Sequence, residues 1–136
     1  MANVKAIRAA LATQLSTTGL NVHATAPGQV VPPIGVIIPN RPAILYGQTM
    51  DGETQVNLLA VVLVSAANDL TGQDLIDDYV ASSGTKSICA AVQADSTLAG
   101  AVEFAIVLQV SSYGLVEYSG QQYMGCSFLV QCGAHL

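Results

Sequence analysis

The sequence predicts an α+β domain with a mostly antiparallel β-sheet flanked by helices, in the order α-β-β-β-α-α-β-β. Two observations lead to this fold class. Apolar residues recur at helical spacing in some segments and at every second position in others. The strand segments fall into two groups with helices between them, which is typical of α+β domains. A length of 136 residues fits a single domain spanning residues 1–136.

The first predicted element is an amphipathic helix over residues 3–17. Asn3 is a suitable N-cap for it and Gly19 a suitable stop. Its apolar side chains recur at helical spacing: Val4, Ile7, Leu11 and Leu15. A short strand is predicted at residues 21–25. Residues 26–33 hold three prolines and a glycine, which indicates a connector.

Two short strand segments come next. Residues 34–38 consist of isoleucine, valine and one glycine, and Pro39 is expected to end this strand. Residues 42–46 fit a short edge strand, because proline is tolerated at the edge of a sheet and not at its centre.

The most hydrophobic strand is predicted at residues 54–65. A turn over residues 47–53 precedes it, with Asp51 followed by glycine as the strongest turn signal. Residues 58–64 are apolar without a break, so both faces of the strand are apolar. Such a strand is expected to be covered on both sides, either by helices or by a neighbouring subunit.

The second half of the chain is predicted to contain two helices and a final hairpin. One helix covers residues 68–83, and a shorter one begins at Thr85. A turn follows at residues 95–100. Three strand segments come after it, at residues 101–112, 115–118 and 122–132. Residues 101–112 alternate without interruption. In the last strand five residues share one face: Met124, Cys126, Phe128, Val130 and Cys132.

The chain carries little charge. Hydrophobic residues make up 51% of it and charged residues 10%, whereas soluble domains carry roughly 25% charge. This balance excludes intrinsic disorder, which needs low hydrophobicity and high net charge. The longest apolar run is far below the ~20 residues that span a bilayer, and no signal-peptide segment is recognised. We therefore expect a soluble, unexported protein whose uncharged surface is covered by copies of itself or by partners.

Basic residues are too few for a nucleic-acid interface. Lys5, Arg8, Arg41 and Lys86 stand against nine acids, which gives a net charge of −5. Four scattered cations cannot neutralise a stretch of phosphates, so binding of duplex DNA through its backbone is not expected.

No combination of residues points to catalysis or metal binding. His23 and His135 have no cysteine or carboxylate at metal-ligand spacing, and no Gly-x-Ser-x-Gly, P-loop or Gly-x-Gly-x-x-Gly motif is present. Three acids in one predicted helix could be imagined as a cation site, but such acids usually solvate an outer face: Asp74, Asp77 and Asp78. The prediction is a protein that is not an enzyme, with no catalytic residue, cofactor or metal.

The cysteines suit packing. Cys126 and Cys132 lie six residues apart in one predicted strand, about 20 Å from each other and beyond disulfide reach. Cys89 sits beside two alanines on the apolar side of a helix, so packing is favoured over a nucleophilic role. Reduced, buried thiols in a cytoplasmic setting are expected.

Two groups of side chains suit a protein interface. The first lies on a predicted exposed hairpin: Arg41, Tyr46, Gln48, Met50, Asp51 and Glu53. Tyr, Met and Arg are enriched at interfaces, although an ordinary solvated turn fits the same residues. The second group gathers around the last hairpin: Tyr113, Tyr118 and Tyr123. Together with the low charge and the two-sided strand, these groups favour a ring or another homo-oligomer.

Three stretches of the chain have counterparts in a known protein family. They are Asn-Val-Lys-Ala-Ile-Arg-Ala-Ala-Leu at residues 3–11, residues 41–54 from Arg-Pro-Ala-Ile-Leu-Tyr-Gly to Asp-Gly-Glu-Thr, and Tyr-Gly-Leu-Val-Glu-Tyr-Ser-Gly-Gln-Gln-Tyr at residues 113–123. In these stretches, in length and in element order, the chain resembles tail terminator proteins of long-tailed, siphovirus-type bacteriophages, particularly those of actinobacterial hosts.

The resemblance implies a structural role in the virion. Proteins of this family form a hexameric ring that caps the tail tube, ends its polymerisation and joins the tail to the head connector. The implied partners are further copies of the chain, the major tail tube protein and a head-to-tail connector or head-closure protein. The implied location is the head–tail junction, after assembly in the host cytoplasm. DNA would pass only in transit, through a lumen whose ring of six chains carries a formal charge of −30.

The resemblance also suggests where each partner binds. The hairpin from Arg41 to Glu53 would face the last ring of the tail tube. The hydrophobic strand and the final hairpin would lie between subunits, with these contact residues: Leu59, Val61, Leu63, Tyr113, Tyr118 and Tyr123. Other readings stay open: another head–tail neck component, such as a head-closure or tail-completion protein, a small cytoplasmic oligomeric binding domain, or a small hydrolytic domain.

Overall fold

Three helices cover one face of a five-stranded sheet in this computed structural model, which describes residues 3–23, 33–46, 54–66, 72–118 and 120–134. The elements follow one another as α1 (Val4–Leu15), β1 (Asn21–His23), β2 (Ile34–Leu45), β3 (Thr54–Ala66), α2 (Gly72–Val80), α3 (Ile88–Ala94), β4 (Phe104–Tyr118) and β5 (Gln121–Ala134). The strand order across the sheet is β1-β2-β3-β5-β4. Only β1 and β2 pair in parallel. The fold is therefore α+β with a mostly antiparallel sheet, in the predicted element order.

Helix α1 begins and ends where its sequence signals lie. The Asn3 side-chain oxygen accepts a hydrogen bond from the Ala6 amide at 2.8 Å, so Asn3 is the N-cap. A short 3₁₀ turn, Ser16–Thr18, follows the helix and ends at Gly19, whose φ of +90° suits a residue without a side chain. The Gln14 amide donates a hydrogen bond to the Ala91 carbonyl at 2.6 Å and so fastens α1 to α3.

Strand β2 is a single element where two strands were predicted. The prediction that Pro39 ends a strand is wrong, since β2 continues to Leu45 through a break in register between Pro39 and Ile44. Strand β1 pairs only with Ile34–Val36. Beyond that point β3 is the partner of β2 that the structure describes, and Pro39 lies opposite Leu58 of β3.

The two later helices are shorter than predicted. Helix α2 ends at Val80 and not at residue 83, and α3 begins at Ile88 and not at Thr85. Ser87 explains the second difference. Its hydroxyl oxygen accepts a hydrogen bond from the Ala90 amide at 3.1 Å, and its hydroxyl donates to the Ala81 carbonyl at 2.5 Å. One side chain thus caps α3 and links it to the end of α2.

A tight turn joins α3 to β4. The Asp95 carboxylate accepts hydrogen bonds from the Thr97 hydroxyl at 2.8 Å and from the Ala99 amide at 2.9 Å. These bonds lower the pKa of the Asp95 carboxyl. Leu98 and Ala99 both have positive φ, at 50° and 59°, and the Leu98 side chain is buried. The predicted turn at residues 95–100 is confirmed, and it anchors one leucine in the core.

Strand β4 starts later and runs further than predicted. It begins at Phe104, not at residue 101, and continues through Gly114 to Tyr118 as one strand. The expectation of uninterrupted alternation is wrong, because the register with β5 shifts between Val107 and Gln109 and again between Val110 and Ser112. Each shift changes which face the following residues occupy.

The main core lies between the helices and one face of the sheet. Its largest fully buried side chains come from every helix and from the central strands: Ile7, Leu11, Leu15, Leu58, Ile76, Ile88 and Phe128. The five residues predicted to share one face of the last strand all belong to it, which confirms that prediction: Met124, Cys126, Phe128, Val130 and Cys132.

A second, smaller core lies on the opposite face of the sheet. It consists of four buried residues: Ile34, Val61, Leu63 and Val116. Four partly buried residues pack against them: Ile38, Leu59, Tyr118 and Tyr123. Because Val116, Tyr118 and Tyr123 belong to the β4–β5 hairpin, the end of that hairpin contacts β2 and β3. Val61 and Leu63 of β3 are thus buried on the face opposite the helices. The expected cover was helices or a neighbouring subunit, whereas the structure places the chain's own hairpin against these residues.

Candidate protein–protein interface

Exposed apolar side chains concentrate on β4. Of the seven large hydrophobic side chains that are exposed in the described part of the chain, six belong to this strand: Phe104, Ile106, Leu108, Val110, Tyr113 and Leu115. Their exposed fractions run from 37% to 59%. Isolated surface leucines are ordinary, but six exposed apolar side chains on one strand concentrate apolar surface at this edge of the sheet, on both of its faces because of the two register shifts. We call this surface the β4 patch, and exposed apolar surface of this kind is a usual mark of an interaction site.

The position of β4 in the sheet explains the exposure. Strand β4 pairs with β5 on its inner side and is the last strand in the sheet order. Natural proteins protect sheet edges with short strands, prolines, lysines or bulges. Strand β4 has 15 residues, no proline and no lysine, and Glu117 is its single charged residue. Its two register shifts are its only such protection, so this edge is suited to a partner.

A groove runs beside the first half of β4. It has a volume of about 520 Å³ and lies between α3 and the strand. Its lining is uncharged: Cys89, Val92, Gln93, Ser96 and residues 104–107. Cys89 is half-buried there without an acid or a histidine among the lining residues. The groove therefore adds uncharged surface to this edge of the sheet.

The two other cysteines lie in the main core. Burial raises the pKa of the Cys126 thiol and of the Cys132 thiol to about 12. Both are therefore neutral at physiological pH and act as small apolar side chains. Burial also raises the pKa of Tyr79, with smaller contributions from Cys126 and Asp78. These groups stabilise the core in their protonated forms.

The residues predicted to contact the tail tube are only partly placed. Arg41 lies within β2, and Tyr46 directly follows that strand with 75% of its surface exposed. The other four lie outside the residues that the structure describes: Gln48, Met50, Asp51 and Glu53.

The residues predicted to lie between subunits separate into two places. Five belong to the small core or pack against it: Leu59, Val61, Leu63, Tyr118 and Tyr123. Val61 and Leu63 are buried within a single chain, so their covering needs no neighbour. Tyr113 instead lies on the helix side, where its hydroxyl donates a hydrogen bond to the Asp77 carboxylate of α2. Half of the Tyr113 side chain is still exposed, within the β4 patch.

Five apolar residues of the patch were not among the predicted contacts: Phe104, Ile106, Leu108, Val110 and Leu115. The sequence holds only a partial signal for them, because β5 has no charged residue either. From Phe104 to Val116 no side chain is charged, a run of 13 residues that the structure places on a single strand. The prediction for the hairpin named only tyrosines, whereas the exposed apolar side chains lie along most of β4.

Two other kinds of feature are not found in the described residues. No group of three or more His, Cys, Asp or Glu side chains in this part of the chain could hold a metal ion. Within the same residues, no helix has the length and apolar character needed to cross a membrane. Comparison with protein-family models and with curated proteins finds no match. The best-defined functional feature of the molecule is accordingly the apolar edge formed by β4.

Proposed function

We propose that this chain is the tail terminator of a long-tailed bacteriophage. As such it is a structural ring protein that caps the tail tube, ends its polymerisation, and joins the tail to the head connector while DNA passes through. The observation that carries the proposal is the long edge strand β4, with six exposed apolar side chains and a single charged residue. A virion component spends its working life in an assembly, where such an edge is covered.

The low charge of the chain supports the same function. With 10% charged residues the surface has few groups that favour a free monomer in water. Closed oligomers cover such surfaces without leaving an unsatisfied end. Six copies also give the ring a formal charge of −30, so a lumen lined by acids repels passing DNA and lets it slide.

Removing the chain from virions tests the function directly. In the phage that carries the gene, a nonsense mutation early in the reading frame should yield tail tubes of uncontrolled length, because nothing caps the growing end. Tail lengths are measured by electron microscopy of lysates, and a plasmid copy of the gene is the control. Tails of normal length would overturn the terminator function.

The same micrographs separate the closest alternative. A head-closure or tail-completion protein would leave tails of normal length that fail to join heads. Tagging the chain and imaging purified virions adds the location. The tag should appear with six-fold symmetry at the top of the tail, and a tag absent from virions would favour a cytoplasmic oligomeric binding domain.

A further inference from the structure

Charges of opposite sign lie at opposite sides of the described structure. The side formed by α2, α3 and β4 carries six acids and a single lysine: Asp74, Asp77, Asp78, Asp95, Glu103, Glu117 and Lys86. Helix α1, which packs on β1 and β2 at the other side of the sheet, carries Lys5 and Arg8 and none of the acids that the structure describes. Among the described residues, the two sides therefore carry charges of opposite sign.

The acidic side presents an apolar side chain next to a carboxylate. Leu115 is 59% exposed, the largest exposed fraction on β4. Glu117, also exposed, lies two residues further along the same strand. No register shift falls between them, so both point to the same face of the sheet. A partner that fits this pair needs an apolar recess with a cation beside it.

The basic side contains a recess of that kind. A groove of about 140 Å³ lies between the start of α1 and the second half of β2, with Val56 and Leu58 of β3 also in its lining. Its remaining lining includes Val4, Arg8 and Ile44. The volume is close to the ~150 Å³ of an apolar cavity that holds a benzene ring. The groove is therefore of the size of one large apolar side chain.

Cations flank this groove. Arg8 is part of the lining, and Lys5 lies three residues before it, which puts the two on neighbouring positions of the helix surface. Lys5 is exposed and Arg8 is half-buried. The groove thus combines apolar walls with positive charge, which mirrors the combination of Leu115 and Glu117.

We propose that neighbouring copies of this chain bind head to tail: Leu115 of one copy enters the α1–β2 groove of the next, and Glu117 lies beside Arg8 and Lys5. That these contacts close into a ring rests on the proposed function. Its two halves are different surfaces of the same chain, so each copy offers one half to each neighbour. Heterologous contacts of this kind generate rings when the rotation closes, whereas a twofold contact would give dimers.

Charge reversal tests the contact through sedimentation velocity of the full chain at low ionic strength, over a range of protein concentrations. One variant is Glu117→Lys, and the other combines Lys5→Glu with Arg8→Glu. Each alone should weaken self-association at least about tenfold, because like charges then meet at every contact. Mixed in equal amounts, the two variants should associate again, since each reversed half now meets an opposite charge on the other variant.

Matched variants separate the contact from general effects. Lys86→Glu changes the net charge as much as Lys5→Glu does, yet it lies away from the groove and should leave association unchanged. Leu115→Ser should weaken association with both charges intact. Because Arg8 is half-buried, Lys5→Glu alone is measured as well, and circular dichroism checks that every variant folds.

The outcomes distinguish this contact from the proposed function. Recovery of association in the mixture of the two reversed variants, to a level that neither variant reaches alone, supports the head-to-tail contact. A wild-type chain that stays monomeric at all concentrations, or reversals without effect, overturns it. The terminator function is judged separately by tail length, so normal capping by a Leu115→Ser chain would reject the contact and leave the function in place.

Discussion

Strands β4 and β5 lie side by side and differ far more in their surroundings than in their sequences. They contain 15 and 14 residues, and both carry apolar side chains along their whole length. Strand β5 lies between β3 and β4, and most of it is buried, whereas β4 is exposed over most of its length. The comparison teaches that a strand's place in the sheet order decides whether its apolar side chains become core or interface.

The largest effect should come from a pair that faces across the two strands. Phe128 of β5 is opposite Val110 of β4, and it is fully buried while Val110 is 38% exposed. We expect Phe128→Ala to lower the free energy of unfolding by about 3–5 kcal/mol, because it leaves a cavity in the main core. Val110→Ala should lower it by less than about 1 kcal/mol. Urea denaturation measures both, and similar losses would contradict the contrast.

Two glycines that face each other in β4 and β5 allow steric crowding to be compared with backbone strain. A Cβ atom on Gly125 of β5 would lie 2.1 Å from the Val62 carbonyl oxygen, so Gly125→Ala must force β3 and β5 apart. We expect a loss of about 2–3 kcal/mol. Its partner Gly114 in β4 has a φ of +109° and open space around it, so Gly114→Ala should lose only about 1 kcal/mol. Thermal unfolding of both variants tests the order, and the reverse order would contradict it.

Alkaline pH should act on β5 through its two buried thiols, which have no counterpart in β4. The pKa of Cys126 and of Cys132 rises from 9.0 in the ordinary thiol to about 12 in the fold. Below pH 9 the folded and unfolded chains hold the same protons, so this contribution to stability is fully present. As the pH rises from 9 towards 12 the unfolded chain loses its protons first, and the contribution is lost.

Between pH 9 and pH 10 the free energy of unfolding should fall by about 2 kcal/mol because of the two thiols together. Urea denaturation under reducing conditions at several pH values measures it. A chain with both Cys126→Ala and Cys132→Ala should show a smaller decrease over this interval, starting from a lower stability. Equal slopes for the two proteins would show that the thiols are not responsible. Tyr79, whose pKa is also raised by burial, adds to the slope at higher pH in both.

The smallest effect on stability should come from the middle of the β4 patch. Leu108 is 50% exposed and lies at a register shift, so Leu108→Lys should change the free energy of unfolding by less than about 0.5 kcal/mol. It should nevertheless raise solubility, because a lysine interrupts the apolar edge. Light scattering against protein concentration checks this. The control is Val130→Lys in β5, which buries a charge in the main core and should prevent folding.

Local signals in the sequence were enough to predict the elements and the fold class. Asn3 marks the start of α1, and the alternation from Met124 to Cys132 identifies the buried face of β5. The start of α3 was missed because the capping role of Ser87 depends on two hydrogen bonds formed in the folded chain. The continuation of β2 past Pro39 was missed because it depends on which side of the strand has a partner.

The candidate interface was harder to predict than the fold. Phe104 and Phe128 belong to strands of similar composition, and nothing within either strand tells which one becomes the edge. That outcome depends on β5 pairing with β3, a contact between distant parts of the chain. The exposure of Leu115 could not be predicted for the same reason. The groove beside Arg8 could not be predicted either, because it exists only where distant elements pack together.

The place of β5 also has a consequence for how the protein is made. Strand β5 follows the other four strands in the chain, yet it lies between β3 and β4 in the sheet. A nascent polypeptide that has emerged only as far as β4 lacks the strand that bridges them, and the apolar faces of β3 remain open to water. The pairs that β3 and β4 form with β5 can therefore arise only after β5 has left the ribosome tunnel. We expect the newly made chain to expose more apolar surface during that interval than the finished fold does, which is the condition under which nascent chains aggregate.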